Sequence, residues 1–155
     1  MTDSTRNPAL ILGIGNLLLC DEVVGVHAVR LLAEQGLPPN VDLLDGGTSG
    51  ANLIDHIARR SKVVVIDAAS GSGPPGTIYR CESRDLMAQQ TALSLHEVGL
   101  VDVLRMAEQL DCPPQRVIVL GVQFATLDPG LELSPAVAAV LPSVIALALA
   151  EATTP

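Results

Sequence analysis

Short runs of aliphatic residues, separated by segments with helical spacing, constrain the fold of this chain more than any other feature. Each run is almost entirely apolar, which is typical of parallel strands covered by helices on both sides of a sheet. The four runs are Leu10–Ile14, Val41–Leu44, Val63–Ile66 and Val117–Val122. Helical patterns alternate with them, at Glu22–Gln35, Asn52–Arg60, Glu97–Leu110 and from Pro135 onward. The alternation predicts an α/β fold, a three-layer sandwich with a twisted, mostly parallel central sheet and helices on both faces.

The chain length of 155 residues fits a single domain over residues 1–155, in which the polar residues 1–8 are expected to be loose. Thr77–Arg80 predicts one further short strand, antiparallel and at an edge of the sheet. Hydrophobic residues make up 48% of the chain but aromatic residues only 1%, so the core must consist of Val, Leu, Ile and Ala. The net charge of −8 and the lack of aromatic platforms argue against nucleic-acid binding.

Two apolar segments superficially resemble export or membrane signals. Residues 9–20 have the character of a signal-peptide core, but Asn16 interrupts them and acids follow at once. The charge-free stretch Leu133–Ala150 contains Ser134 and Pro135, which predict an N-cap and a first helical position of a buried helix. The three cysteines are widely spaced and suit a reducing compartment. The sequence therefore predicts a soluble cytoplasmic protein with no membrane partner.

Acidic residues follow three of the predicted strands, at the point where each strand ends. Asp21 or Glu22 follows the first strand, Asp45 the second and Asp67 the third. Folds of this class bind ligands at the carboxyl ends of the strands. Neighbouring strands lie about 4.8 Å apart, so carboxylates gathered there would repel one another unless a cation lay among them. The spacing predicts a cation site at this edge of the sheet.

Each of these acids also has an ordinary structural role open to it. Glu22 would open the first helix, where the helix dipole favours a carboxylate. Asp45 could instead stabilise the turn at Gly46–Gly47 through its side chain. Asp67 has the fewest such explanations, because an acid at the end of an apolar central strand is costly to bury without a partner.

His96 is the histidine best placed to bind a metal. Ser94 and Glu97 fit a capping box with Ser94 as the N-cap, which puts His96 in the first turn of a helix. The helix dipole there disfavours the protonated imidazole, and a metal requires the neutral form. Without the acidic edge, an exposed histidine at a helix start would be the simpler interpretation. His27 is expected to pack or to face solvent, and His56 to lie on a polar helix face.

The expected ligand set is one imidazole and two carboxylates, which suits a borderline ion such as Ni²⁺ or Zn²⁺ better than Ca²⁺ or Mg²⁺. Three protein ligands leave positions open to water or substrate, as in catalytic sites. No organic cofactor is indicated, because Gly13 and Gly15 match only the first half of a dinucleotide fingerprint and Leu18 occupies its third glycine position. The two glycines instead predict a sharp turn close to the site. The loop at residues 71–76 is a candidate flap or an ordinary surface loop.

Five segments in order resemble the hydrogenase maturation endopeptidases, the proteases that trim the C-terminus of the large subunit of nickel–iron hydrogenases. The segments are GIGNLLLCDEVVG, DGGTSG, VVVIDA, SLHEVGL and GLELSPAV. The resemblance extends from Leu10 to about Glu151, and the ordered set is far more specific than any one segment. Phe124 departs from the family pattern, because it follows Gln123 at a place where an acid or glutamine is commonly followed by proline.

This resemblance implies an α/β endopeptidase with a metal site formed by a Glu, an Asp and a His, here Glu22, Asp67 and His96. Asp45 matches the acid of the family's DGGT segment, which implies a part in substrate recognition or catalysis. The implied partner is the precursor of a hydrogenase large subunit. The implied metal is nickel already inserted in that precursor, so that the substrate supplies it, and cleavage releases a C-terminal peptide.

Two other functions are compatible with an acidic sheet edge. Receiver-type signalling modules also carry acids after the first and third strands, but they need a lysine after the last strand. Residues 121–130 contain none, and the only lysine, Lys62, precedes the third strand. A non-catalytic nickel-binding maturation chaperone would use the same ligands without turnover, and the sequence alone does not separate it from a protease.

Overall fold

The structure, a computed structural model, describes residues 6–15, 20–47, 53–88, 94–95 and 99–155. The strands within these residues are β1 (Ala9–Ile14), β2 (Val41–Gly47), β3 (Lys62–Ser70), β4 (Ile78–Glu82), β5 (Ser94–Leu95) and β6 (Val117–Gln123). The α-helices are α1 (Val24–Gln35), α2 (Leu53–Ile57), α3 (Ser83–Met87), α4 (Gly99–Gln109) and α5 (Pro135–Thr153), and a 3₁₀ turn, Cys20–Val23, precedes α1. The predicted alternation of strands and helices is confirmed.

The strands form one mixed sheet in the order β2-β1-β3-β6-β4. β1, β2, β3 and β6 are parallel, whereas β4 runs antiparallel to β6 at the edge, as predicted for this segment. The short β5 pairs antiparallel with the carboxyl end of β3. In the register of the sheet, Gly13 lies opposite both Asp45 and Ile66, whereas Asp67 lies opposite Gly121.

The sheet buries aliphatic side chains on both faces, and each face is covered by its own helices. Alternate residues of β3 illustrate the division: Val64 and Ile66 pack in the core with α1 and α5, and Val63 and Val65 in the core with α2 and α4. All four valine and isoleucine side chains have at most 1% exposure. Since burying such a side chain stabilises a fold by roughly 1.5–3 kcal/mol, the central strands supply much of the stability.

The first helix begins two residues later than the sequence predicts. Glu22 lies in the 3₁₀ turn Cys20–Val23, and the α-helical backbone starts at Val24. α1 ends at Gln35, and Gly36 closes it as predicted: the Gly36 N–H donates to the carbonyl of Leu32 at 3.1 Å, and its positive φ of 85° then turns the chain out of the helix. The 3₁₀ turn therefore forms a separate short element between β1 and α1.

The predicted capping box at Ser94 is wrong. α4 begins at Gly99, and Ser94 belongs instead to β5, where it pairs with Ser70. The backbone of Ser94 thus pairs with the edge of the sheet at the end of β3. This pairing is a long-range contact, which a local sequence pattern does not reveal. The helix α3 and the strand β5 were not predicted.

The last helix confirms the predicted start. Ser134 is its N-cap, with Oγ accepting from the Val137 N–H at 3.5 Å, and Pro135 follows in the first turn. α5 is 19 residues long and apolar enough to cross a membrane by length and composition. One face of it is buried against the sheet and α1, through Val137, Val144 and Ala148 with 0% exposure.

Candidate active site at the carboxyl ends of β1 and β3

Glu22 is held against the carboxyl end of β1 by close backbone contact. A Cβ placed on Gly15 would lie 1.8 Å from the carbonyl oxygen of Glu22, and Gly15 has a φ of +146° that L side chains rarely adopt. The predicted role of Gly15 in a sharp turn is confirmed. The Glu22 side chain is only 4% exposed, so this turn brings a carboxylate out of bulk solvent at the edge where β1 ends.

Asp67 reaches the same end of the sheet from the neighbouring strand. A Cβ on Gly25, in the first turn of α1, would lie 2.1 Å from the carbonyl oxygen of Ile66, so α1 begins directly against the residue before Asp67. Asp67 is fully buried, and its Oδ1 accepts a hydrogen bond from the Ala68 N–H at 2.8 Å. Glu22 and Asp67 thus both lie at the edge of the sheet where β1 and β3 end.

Asp21 has a different role from its neighbour Glu22. Its carboxylate is fully buried and accepts hydrogen bonds from three backbone N–H groups and one hydroxyl. The donors are the N–H groups of Ala125, Thr126 and Ser134 and the hydroxyl of Ser134, at 2.6–3.1 Å. Sequence reasoning left open whether Asp21 or Glu22 serves the site, and these bonds assign Asp21 to the fold.

Asp45 does not lie with the two buried carboxylates. Asp45 aligns with Ile66 in the register of the sheet, so its side chain lies on the face that α1 covers. Asp67 is one residue further along β3, and its side chain therefore lies on the opposite face. The carboxylate of Asp45 is 41% exposed, forms an ion pair with Arg30 at 3.6 Å, and accepts from the Gly47 N–H at 3.2 Å. The expectation of three neighbouring carboxylates at this edge is therefore wrong for Asp45, which does support the Gly46–Gly47 turn.

His96 lies outside the described residues. The residue before it, Leu95, pairs with Ala69, which is two residues past Asp67 in β3. The chain therefore enters the segment that contains His96 from a position next to the end of β3. The other two histidines lie elsewhere: His27 is half-buried in α1 and His56 is exposed in α2. Burial, and secondarily the charge of Arg30, lowers the pKa of His27.

The described residues supply two of the three predicted metal ligands. Among these residues no group of three or more His, Cys, Asp or Glu side chains is arranged to hold a metal ion. Glu22 and Asp67 are nonetheless oxygen donors with almost no exposure, and burying carboxylates is costly unless they are hydrogen-bonded or engage a cation. Carboxylate oxygens of this kind are common ligands of divalent cations.

The loop after β3 is held by a polar network that sequence reasoning missed. Gln123, buried at the end of β6, accepts hydrogen bonds at its Oε1 from the Gly71 N–H at 2.8 Å and from the Tyr79 hydroxyl at 2.9 Å. The Tyr79 oxygen accepts from the Gly73 N–H at 2.7 Å. Gln123 itself, a polar residue at the end of an apolar run, is the sequence feature that could have indicated this network. These bonds hold the candidate flap at residues 71–76 as an ordered loop.

The fold agrees with what comparison with known proteins shows. The family model described as "Hydrogenase maturation protease" matches residues 26–151. The chain belongs to this family, as its sequence segments suggested.

Two curated relatives and one solved structure illustrate the similarity. The chain is 42% identical over 122 residues to hydrogenase expression/formation protein HupD of Thiocapsa roseopersicina, a match that covers 77% of this chain and 55% of that protein. It is 36% identical over 135 residues to the hydrogenase 2 maturation protease of Escherichia coli K12, covering 85% and 82% of the two chains. The structure of the E. coli hydrogenase maturating endopeptidase HybD superimposes with a TM-score of 0.82 at 35% identity, covering 92% of this chain and 90% of that one. The α/β fold is thus shared with solved members of the family.

Proposed function

We propose that this chain is an endopeptidase that removes the C-terminal extension from the precursor of a nickel–iron hydrogenase large subunit, after nickel has been inserted. The observation that carries the proposal is the pair of buried carboxylates, Glu22 and Asp67, at the carboxyl ends of neighbouring strands in a member of this family. This is the edge at which α/β sheets bind their ligands.

In this proposal Glu22, Asp67 and His96 complete the coordination of the nickel that the precursor carries. Two carboxylate oxygens and an imidazole nitrogen are a suitable donor set for Ni²⁺. The nickel of the substrate then orients the scissile peptide bond and either polarises its carbonyl or activates a water molecule. The protein itself contributes a largely buried edge that holds both carboxylates in place.

Asp45 has a separate part in this proposal. It is exposed and faces the α1 side of the sheet, so it is available to the surface of a protein partner but not to the ion held by Glu22 and Asp67. We therefore assign it to recognition of the precursor rather than to metal coordination. The charge of an exposed carboxylate steers association more than it adds affinity.

We also propose that the reaction takes place in the cytoplasm. The three cysteines, Cys20, Cys81 and Cys112, are all free thiols in the structure. Free thiols are typical of a reducing compartment such as the cytoplasm.

Processing of a purified precursor tests the proposal directly. The protein is incubated with nickel-loaded precursor, and release of the C-terminal peptide is followed by mass spectrometry. We expect cleavage by the wild type and none by a folded His96→Ala variant, while His56→Ala, which changes an exposed histidine on α2, serves as the control. Undiminished cleavage by His96→Ala would remove this histidine from the site. A shift of the precursor on a native gel without peptide release would favour the chaperone instead.

A further inference from the structure

Asp21 joins the turn before α1 to two neighbouring segments that lie 104 to 113 residues further along the chain. Its Oδ2 accepts from the N–H groups of Ala125 and Thr126 at 2.8 and 3.1 Å and from the Ser134 hydroxyl at 2.8 Å. Its Oδ1 accepts from the Ser134 N–H at 2.6 Å. The backbone adds a further bond, from the Asp21 N–H to the carbonyl of Thr126 at 3.2 Å. The turn before α1 is thereby fastened both to the loop after β6 and to the N-terminus of α5.

The turn that Asp21 fastens has a strained backbone. Cys20 has a φ of 40°, which is uncommon for a residue other than glycine. Such a conformation persists only where the surroundings hold it in place. The Cys20 N–H donates to the carbonyl of Gly130 at 3.1 Å, so the same loop holds the turn at two consecutive residues.

Glu22 is the next residue in this turn, and its position depends on the turn as a whole. In a 3₁₀ turn successive side chains are rotated by about 120°, so the direction fixed for Asp21 also sets the direction of Glu22. On the other side, the carbonyl of Glu22 lies against Gly15. Glu22 is thus held between β1 and the β6–α5 loop through its backbone and its neighbour.

We propose that Asp21 is a positioning residue, whose buried carboxylate fixes Glu22 in the geometry that the cleavage reaction requires. This inference rests on the proposed endopeptidase function. It assigns the two consecutive acids distinct tasks: Asp21 binds the protein's own backbone, and Glu22 engages the substrate.

Asp21→Asn tests this assignment because no orientation of an amide satisfies all four donors. With its oxygen at the Oδ2 position, the amide NH₂ faces the Ser134 N–H, and in the flipped orientation the NH₂ faces three donors. The matched control is Asp42→Asn. Asp42 also accepts several hydrogen bonds, from Arg60 and Asn7, but it lies opposite Leu10 near the amino end of β1.

Two measurements on the folded full-length variants decide the question. Steady-state processing of nickel-loaded precursor gives kcat and KM, and amide hydrogen exchange reports on residues 20–26 and 125–134. For Asp21→Asn we expect kcat to fall about ten- to a hundredfold with KM changed less than threefold, since small misplacements of a reacting group have costs of this size. Exchange should accelerate in both segments. Asp42→Asn should lower the melting temperature and leave kcat unchanged.

Three results would overturn the inference: an unchanged kcat in Asp21→Asn, an equal loss of kcat in Asp42→Asn, or unaltered exchange at residues 20–26. If the wild type itself releases no peptide, the proposed function fails. The exchange measurement then still shows whether Asp21 fixes the turn that carries Glu22.

Discussion

The backbone of Gly15 lies so close to the carbonyl oxygen of Glu22 that a Cβ on residue 15 would be 1.8 Å from it. The contact is between backbone atoms, so no side-chain rotation can relieve it. Together with the hydrogen bonds of Asp21, this contact holds the Glu22 turn in place. The position of Glu22 is therefore set by the backbone contact with Gly15 and by the hydrogen bonds of the neighbouring Asp21.

Gly15→Ala is expected to destabilise the protein by about 2 kcal/mol or more, because it adds backbone strain and a clash with Glu22. It should also reduce precursor cleavage, since the turn must move. Gly36→Ala is the control: Gly36 also has a positive φ, of 85°, but nothing lies within 4 Å of a Cβ there. It should lower the free energy of unfolding by about 1 kcal/mol, measured by urea denaturation, and leave cleavage unchanged. Normal cleavage by Gly15→Ala would show that the position of Glu22 is not critical.

Asp67→Asn is expected to abolish cleavage while the protein stays folded. The asparagine oxygen can still accept from the Ala68 N–H, and the side chain keeps its size, so we expect the variant to fold. The rate of peptide release should fall by at least about a hundredfold, in the range found when a positioned catalytic group is lost. Asp102→Asn, an exposed acid in α4, should cleave normally. A folded Asp67→Asn variant with wild-type activity would exclude Asp67 from the reaction.

Asp45→Asn is expected to act on substrate binding alone. Both side chains of its ion pair with Arg30 are exposed, and such pairs contribute at most about 1 kcal/mol to the free energy of unfolding. KM for the precursor should rise severalfold with kcat nearly constant. Arg30→Gln removes the ion pair but keeps the carboxylate, and it should leave KM unchanged. An equal rise in KM in both variants would mean that Asp45 acts only through Arg30.

His27 is expected to make the protein less stable in mild acid. Burial and Arg30 hold its pKa below the ordinary value of 6.5, so the unfolded chain binds a proton more readily than the folded one. The free energy of unfolding should therefore decrease as the pH falls through 6.5 toward the folded pKa, and level off below it. Urea denaturation between pH 5 and 8 measures this dependence, and His27→Gln should reduce its slope. An identical slope in the variant would place the pH dependence in other groups.

Four parallel strands could be predicted from the sequence because the signal for each is local. An aliphatic run such as Val63–Ile66 has to be buried on both faces, and its place in a central strand follows from that requirement. The same holds for Ser134 and Pro135, whose N-cap pattern is contained in consecutive residues.

The site was less predictable because its geometry depends on long-range register. Asp45 was expected beside Asp67, but β2 aligns it with Ile66, and a difference of one residue moves a side chain to the other face of a sheet. Asp21 and Glu22 are equivalent acids in sequence, and the groups that distinguish them lie 104 to 113 residues away. Ser94 matched a capping box, yet it pairs with Ser70 in the sheet.

The nickel dependence of cleavage tests the central claim most directly. Purified protein is mixed with nickel-loaded and with nickel-free precursor, and release of the C-terminal peptide is followed by mass. We predict release from the nickel-loaded precursor only, and its loss when Glu22→Gln replaces the wild type. Equal release from the two precursors, or undiminished release by a folded Glu22→Gln variant, would contradict the assignment of this buried edge to the nickel of the substrate.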